Sequence, residues 1–441
     1  MTELLAIGAS HKTAPLAVRE RLALPERRAR EMVAELLGER SIQEAVALFT
    51  CNRTELYLVV GDPVEAESVV LAMLARQAGI RPTELVDAMY SFRNCDAARH
   101  LFRVASGLES MVLGEAEVQG QVKRAYESAL ADRATGPMTN KLFRAALATG
   151  KRVRSATRIS EGRGSVASVA VELAQQAIGD LEERRVLIIG AGETAEGTAR
   201  ALHEQGVTTL FVANRRRERA RALAQRFGGE TISFDALPAE LAEADIVVSS
   251  TASPHTILGA EELGMVAQAR SGRPLLLIDL AVPRDIEPAC AELPGVRLYD
   301  VDDLQTQVGR TRTVRQAEAQ RAAGIVEEEI QGFAGWLGSL DVLPTVAALR
   351  SRGDEIVNAV LAENAGRWEA LSERDRARVE AMAHAVARRL LHEPTLRLKQ
   401  TGPDRRHTRL QLLRELFGLE EPVAAAEPQD GAAEVRALPA R

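Results

Sequence analysis

"RRVLIIGAGETAEGTARAL", residues 184–202, decides the fold. An uninterrupted apolar run ends at Gly190-Ala191-Gly192, and a segment with helical spacing starts at once with Glu193, Thr194 and Ala195. Strand, glycine turn and helix, in that order, form the context that a dinucleotide-binding fingerprint needs. Gly190 makes the tight turn, Gly192 lets a pyrophosphate approach the backbone, and Ala195 permits close packing of helix on strand. The helix N-terminus offers free N–H groups and positive potential to phosphates. Working outward, short apolar runs recur as TLFVAN, DIVVSST, LLLIDLAV and VRLYDVD, with helical segments between them. Strands that are continuously apolar are buried on both faces, so residues 160–300 read as a doubly wound (Rossmann-type) α/β domain. Its second strand ends in FVANRRRERA, which puts Asn214, Arg215 and Arg216 where an acid would bind a ribose 2′-hydroxyl. Arginines suit a 2′-phosphate instead, and the expected cofactor is NADPH.

The rest of the chain uses other grammars. Its 441 residues exceed one core, and 46% hydrophobic with 27% charged residues describe a well-buried globular protein of several domains. Residues 1–150 read as α+β: a strand over 3–9, a helix over 25–38 and two strands within 44–60. Helices follow over 64–78, 96–106 (opened by Asp96) and 114–133. Residues 301–420 read as all-helical. A long helix over 304–338 is broken at Pro344, and Leu349, Ile356, Val360, Val379, Met382, Val386 and Leu390 then recur at helical spacing. Such an array is either an oligomerisation module or an ordinary packed subdomain. The Ala/Pro/Glu-rich tail, 421–441, is expected to be disordered.

Composition excludes several classes. Three cysteines, Cys51, Cys95 and Cys290, are an odd number without repeating spacing, which argues against a disulfide framework and for a reducing cytoplasm. No Cys/His cluster has zinc-ligand spacing, so no metal is expected. No signal peptide and no apolar stretch of about 18 residues is present, so no membrane association is expected. The net charge of −6 does not advertise nucleic acid, yet residues 141–163 hold seven basic residues against one acidic. That stretch is either a solvated helix face or, like the arginines of 388–409, a set of phosphate-backbone contacts.

One cysteine is oddly placed. In ALFTCNRTELYLVV, residues 47–60, Cys51 stands where an apolar run stops, flanked by Thr50, Asn52 and Arg53. Alone, this reads as a half-buried inert thiol. Exposure beside an arginine would instead lower its pKa. A reductase domain gives such a thiolate work: it can hold an acyl group as a thioester, which accepts hydride where a carboxylate does not. Downstream, His100 flanks the apolar stripe of its helix, and Ser110, Glu115, Glu117 and Gln121 gather at a loop and the next helix start.

The stretches GASHKTAPLAVRERLAL, TCNRTELY, HLFRVASGLESMVLGEAEVQGQVKRAY, GKRVRSAT, GAGETAE, ANRR, DLAVPRDIEP, LPTVAALR and LLHEPTLRLK resemble, in order, glutamyl-tRNA reductase, to about residue 418. The resemblance implies NADPH-dependent reduction of the glutamyl group of tRNA(Glu) to glutamate-1-semialdehyde, the entry to tetrapyrrole synthesis. It also implies a V-shaped homodimer strung on a long spinal helix, with a catalytic domain, a nucleotide domain and a C-terminal dimerisation domain. By the same resemblance Cys51 is the nucleophile and His100 an activity-sensitive histidine. Thr50, Asn52, Arg53, Ser110, Glu115, Ala116, Glu117 and Gln121 are then glutamate-binding positions. Gly190, Ala191, Gly192, Glu193, Thr194, Ala195, Asn214 and Arg215 hold the cofactor, and the aldehyde passes to a glutamate-1-semialdehyde aminomutase in a transient complex. The chain departs from the family at Gly114-Glu115-Ala116-Glu117, where Gly-Glu-Pro-Gln is usual; Glu117 adds a second acid. Cys95 and Cys290 match no motif and read as inert. Two rival readings are a shikimate-type dehydrogenase that has no need of Cys51, and a tRNA-binding protein without chemistry.

Overall fold

The computed structural model describes residues 2–160, 165–308, 313–340, 342–368, 371–399 and 403–419. The chain divides into two compact units, one up to Phe333 and one from Ala334. The expected disordered tail, 421–441, lies outside the described residues.

The first unit begins with a four-stranded antiparallel sheet: β1 (Glu3–Ser10), β2 (Ile42–Phe49), β3 (Arg53–Val60) and β4 (Tyr90–Arg93), in the order β2-β3-β1-β4. Every residue of β3 is buried, Arg53 and Glu55 included, because helices cover both faces of this central strand. β2 and β3 form a hairpin whose tip is Thr50-Cys51-Asn52. The Thr50 hydroxyl accepts from the backbone N–H groups of Asn52 (3.2 Å) and Arg53 (3.1 Å), a side-chain closure of the turn that threonine supplies.

Two expected helix starts differ. Asp96 is not the cap of its helix, which runs Asn94–Ala105; Asp96 lies in the first turn and pairs with Arg99. Asn94 takes the leading place because its side chain ties the strand β1, accepting from Leu4 N–H (3.1 Å) and donating to Glu3 (3.0 Å). The next helix begins at Glu117, not 114, and ends at Ala131. Gly114 has φ +81°, and a Cβ there would stand 2.0 Å from the Ile159 carbonyl oxygen, so only glycine lets this loop press down. Residues 141–156 of the basic stretch lie in the helix Pro137–Ala156, where Arg152 pairs with Glu328 and Glu329 of the long helix Thr313–Leu340. One of its cations therefore serves to dock that helix.

The second sheet is wholly parallel: β5 (Arg185–Ile189), β6 (Thr209–Ala213), β7 (Glu230–Ile232), β8 (Ile246–Ser249), β9 (Leu275–Asp279) and β10 (Val296–Tyr299). Its order, β10-β9-β8-β5-β6-β7, reverses between β5 and β8, the switch point where such sheets bind ligands. Separate apolar clusters lie on its two faces, one around Val186, Ile188 and Ala195, the other around Leu187, Ile189 and Val247. The doubly wound expectation is borne out.

In the second unit, the helices Leu343–Glu363, Glu373–Lys399 and Pro403–Phe417 pack together around Val342, Val346 and Leu398. Pro344 opens the first of these, where its missing N–H costs nothing. Leu349 is buried, but Ile356, Val360, Met382, Val386 and Leu390 of the apolar stripe stay exposed. An apolar stripe left uncovered by its own unit marks an interaction surface.

Candidate active site

A narrow cavity lies between the two sheets' domains. Thr50, Cys51, Asn52, Arg53, Ser110, Glu115, Glu117 and Gln121 line one side of it, and Thr194 of the glycine turn, Leu280 and Val301 line the other. Nine residues expected at the site from sequence thus meet around one space. The glycine turn is built for a nucleotide. Gly190 has φ +121°, and a Cβ there would stand 2.7 Å from the Ser250 carbonyl oxygen on the neighbouring strand's end. At Gly192 an added Cβ meets nothing within 4 Å, so the space before the helix Glu193–Glu204 is open where its first N–H groups need partners. Ala195 is fully buried beneath it, and Ala191 is partly covered. Arg215 is exposed, while Asn214 donates to the Arg216 carbonyl (3.2 Å) and shapes the end of β6. These residues fit a pyridine dinucleotide. Glu193 faces away from this role: it forms a two-pronged pair with Arg124 (2.7 and 3.0 Å) on the helix that carries Glu117 and Gln121.

Arg53 does not activate Cys51 as its position in sequence suggests. One guanidinium nitrogen donates to Glu55 (2.6 Å) and another to the Glu109 carbonyl (2.6 Å), leaving its other N–H groups for the cavity. Burial instead pushes the Cys51 thiol up to about 12, and the carboxylates of Glu115 and Glu117 add to this; Arg19 alone is the cation that opposes them. Glu115 is itself pushed up to about 7, by burial and then by Glu117. Glu117 is raised by burial and by Glu193, and its carboxylate reaches toward Gly197 of the nucleotide helix. Ser110 Oγ is buried beside the Glu115 carboxylate, which it helps to hold in its charged form. Ala116 does not join the group: its backbone is already helical at the cap and its methyl is exposed.

His100, expected to be catalytic, sits one layer behind the cavity. Its Nε2 meets Glu55 Oε1 at 2.9 Å, and its ring packs on Tyr90 and Phe92 with centroids 5.1 and 4.9 Å away. Glu55 also accepts from the hydroxyls of Tyr57 (2.6 Å) and Tyr90 (2.5 Å). Burial alone would raise the Glu55 carboxyl, but Arg53 and His100 outweigh it and hold it well below the usual range. His100 can thus reach the site only through Glu55 and Arg53. Two further residues bear on the cysteine turn and went unread in the sequence. His11 donates its backbone N–H to the Asn52 carbonyl (2.9 Å), and burial followed by Arg53 drops its ring to about 4. Arg19, only 4% exposed, donates to the Cys51 carbonyl (3.1 Å) and to Asn52 Oδ1 (3.3 Å). Cys290 is buried beneath the sheet, and Cys95 is partly exposed with burial raising its pKa; neither lines the cavity.

A parallel nucleotide-binding sheet whose glycine turn shares a cavity with a cysteine and two acids defines a pyridine-nucleotide oxidoreductase with a thiol at its centre. Residues 7–157 match the family description "Glutamyl-tRNAGlu reductase, N-terminal domain", residues 172–307 "Shikimate / quinate 5-dehydrogenase", and residues 321–419 "Glutamyl-tRNAGlu reductase, dimerisation domain". The glutamyl-tRNA reductase of Pelotomaculum thermopropionicum is 39% identical over 98% of both chains, and that of Moorella thermoacetica 42% identical over 94% of this chain and 95% of its own. The solved structure of glutamyl-tRNA reductase from Methanopyrus kandleri is 34% identical, with a TM-score of 0.51 over 94% of this chain and 99% of that one. The chain belongs to the glutamyl-tRNA reductase family. Among the described residues no helix is long and apolar enough to cross a membrane, and no group of side chains could hold a metal ion.

Proposed function

We propose that this chain reduces the glutamyl group of glutamyl-tRNA(Glu) with NADPH to glutamate-1-semialdehyde and free tRNA, the first step of tetrapyrrole synthesis, as a cytoplasmic homodimer. The observation that carries this reading is the single cavity that Cys51, Glu115, Gln121 and Thr194 line together. The remaining N–H groups of Arg53 suit the glutamyl side-chain carboxylate, and Glu115 with Glu117 suits its α-ammonium. That ammonium would neutralise the two carboxylates which, after burial, hold the Cys51 thiol protonated. Substrate binding therefore lowers the thiol's pKa, and the Glu115 carboxylate, which lines the same cavity, is placed to take its proton. The sulfur then attacks the ester carbonyl, the bond to the terminal ribose oxygen breaks, and tRNA leaves as the alcohol with a proton. The glycine turn, Gly190 to Ala195, would hold a reduced nicotinamide dinucleotide, and the chemistry it would supply there is the hydride that the Cys51 thioester carbon accepts. Cys51 departs from that carbon as thiolate and is reprotonated, releasing the aldehyde. Arg215 and Arg216 favour NADPH over NADH, and direct transfer of so reactive an aldehyde to an aminomutase fits its chemistry.

The test supplies tRNA(Glu) charged with labelled glutamate and either nucleotide, and traps the aldehyde. Semialdehyde formed with NADPH, much less with NADH and none by Cys51→Ser, supports the reading. Equal product from Cys51→Ser would remove the thioester step, and turnover of a free small acid instead would replace the reading with a shikimate-type dehydrogenase.

A further inference from the structure

We propose that Arg19 is the positioning residue that presents Cys51 for hydride transfer, and that Asp302 sets it. The inference rests on the thioester reading above. Arg19 stands on the short helix Leu16–Leu22, and its guanidinium spans the boundary between the two domains of the first unit. On the catalytic side its Nη1 holds the Cys51 carbonyl and Asn52 Oδ1, and its Nε donates to the Ala14 carbonyl (3.2 Å). On the nucleotide side its Nη2 pairs with Asp302, in the first turn of the helix Val301–Val308 that follows β10. Val301, the neighbouring residue, lines the cavity. The next residue repeats the arrangement. Glu20 receives three hydrogen bonds from Arg284, at its backbone N–H, Nε and Nη2 (2.8 Å each), and Arg284 lies in the loop after β9 whose Leu280 also lines the cavity.

Adjacent residues thus fasten both nucleotide-side segments of the cavity wall, but only Arg19 also grips the turn that carries the thiol. A planar guanidinium holding four oxygens in fixed directions transmits position in a way that a lysine does not. When Asp302 draws the far end of the fork, the near end fixes the Cys51 carbonyl, and with it the direction in which an acyl group on sulfur points. Hydride transfer is sensitive to such placement, because an error of about 1 Å can cost about a hundredfold. Acylation by the ester happens on the catalytic side and needs no such alignment with the nucleotide.

The thioester has two fates. Hydride yields aldehyde and thiol; water yields glutamate and thiol. The ratio of the two products at saturating NADPH therefore reads the alignment, and acyl-enzyme formed without NADPH reads the catalytic side alone. Asp302→Asn keeps the shape and removes the charge at a partly exposed position. It should acylate Cys51 like the wild type and bind NADPH with the same Kd, while the glutamate-to-semialdehyde ratio rises at least tenfold. Arg19→Lys, which keeps the charge and loses the fork, should raise the same ratio. Ratios equal to the wild type in both variants, or a fall in acylation that matches the fall in reduction, would overturn the positioning role. A wild-type enzyme that makes semialdehyde without ever carrying glutamate on Cys51 would instead remove the thioester reading, and this inference with it.

Discussion

Glu117, with Ala116, departs from the pattern that the resemblance implies, and the structure gives it a measurable consequence. The Cys51 thiol is pushed up to about 12 from an ordinary 9.0, by burial and by the carboxylates of Glu115 and Glu117. Near pH 8 a thiol of ordinary pKa is about one-tenth ionised, whereas Cys51 would be ionised about a thousandfold less. Each thiolate of higher pKa is a better nucleophile, and a Brønsted slope of about 0.45 returns roughly 20-fold of this. Iodoacetamide should therefore alkylate Cys51 in the free protein about 40-fold more slowly than a simple thiol. Glu117→Gln removes one of the two charges, so alkylation should become several-fold faster with its pH profile moved down. Glutamate bound through its α-ammonium should accelerate the wild type in the same direction. The assay is peptide-resolved mass spectrometry, since Cys95 is also partly exposed. An unchanged or slower rate in Glu117→Gln would refute the electrostatic account of this thiol.

Further outcomes are expected elsewhere. Glu55→Gln leaves the buried Arg53 without its carboxylate and should cost about 3–5 kcal/mol in urea unfolding at neutral pH. Because the Glu55 carboxyl is held below its unfolded value, its stabilisation is full above about pH 4.3 and is lost as pH falls toward its folded pKa. The gap between wild type and Glu55→Gln should therefore narrow in acid, and a gap that widened would contradict the network. Gly190→Ala places a Cβ 2.7 Å from the Ser250 oxygen at φ +121°, and should weaken NADPH binding at least tenfold in titration calorimetry while leaving Cys51 acylation intact. Arg215→Glu should cut the preference for NADPH over NADH by about 10- to 100-fold, given about 1.5–3 kcal/mol for a charged hydrogen bond; an unaltered preference would assign the 2′-phosphate to other groups.

Much of this was legible in the sequence where the signal is local. The strand before Gly190 and the parallel sheet around it announce themselves because strands buried on both faces cannot alternate, and the cysteine turn shows because it interrupts two β-favouring runs. What stayed hidden depends on partners distant along the chain. Arg19 and Asp302 are 283 residues apart, and in sequence Arg19 is only one of three successive charges, Arg19-Glu20-Arg21. Glu55 gives no sign that it will be buried, since a carboxylate in a strand normally faces water; only Arg53, His100 and two tyrosines make its burial tolerable. For the same reason Arg53 reads as an activator of Cys51 until its guanidinium is seen committed to Glu55. His100 reads in the sequence only as a histidine flanking an apolar stripe, and its link to the cavity through Glu55 appears only in the fold. The Asp96 cap failed because Asn94 had a competing task on β1.

The most direct test of the account is a trap. The protein is mixed with tRNA(Glu) carrying labelled glutamate, NADPH is omitted, the reaction is quenched in acid, and the peptide containing Cys51 is weighed. A glutamyl adduct on Cys51 that vanishes on adding NADPH as semialdehyde appears, and that never forms in Cys51→Ser, is the result predicted here. NADPH-dependent semialdehyde from Cys51→Ser at the wild-type rate would contradict it.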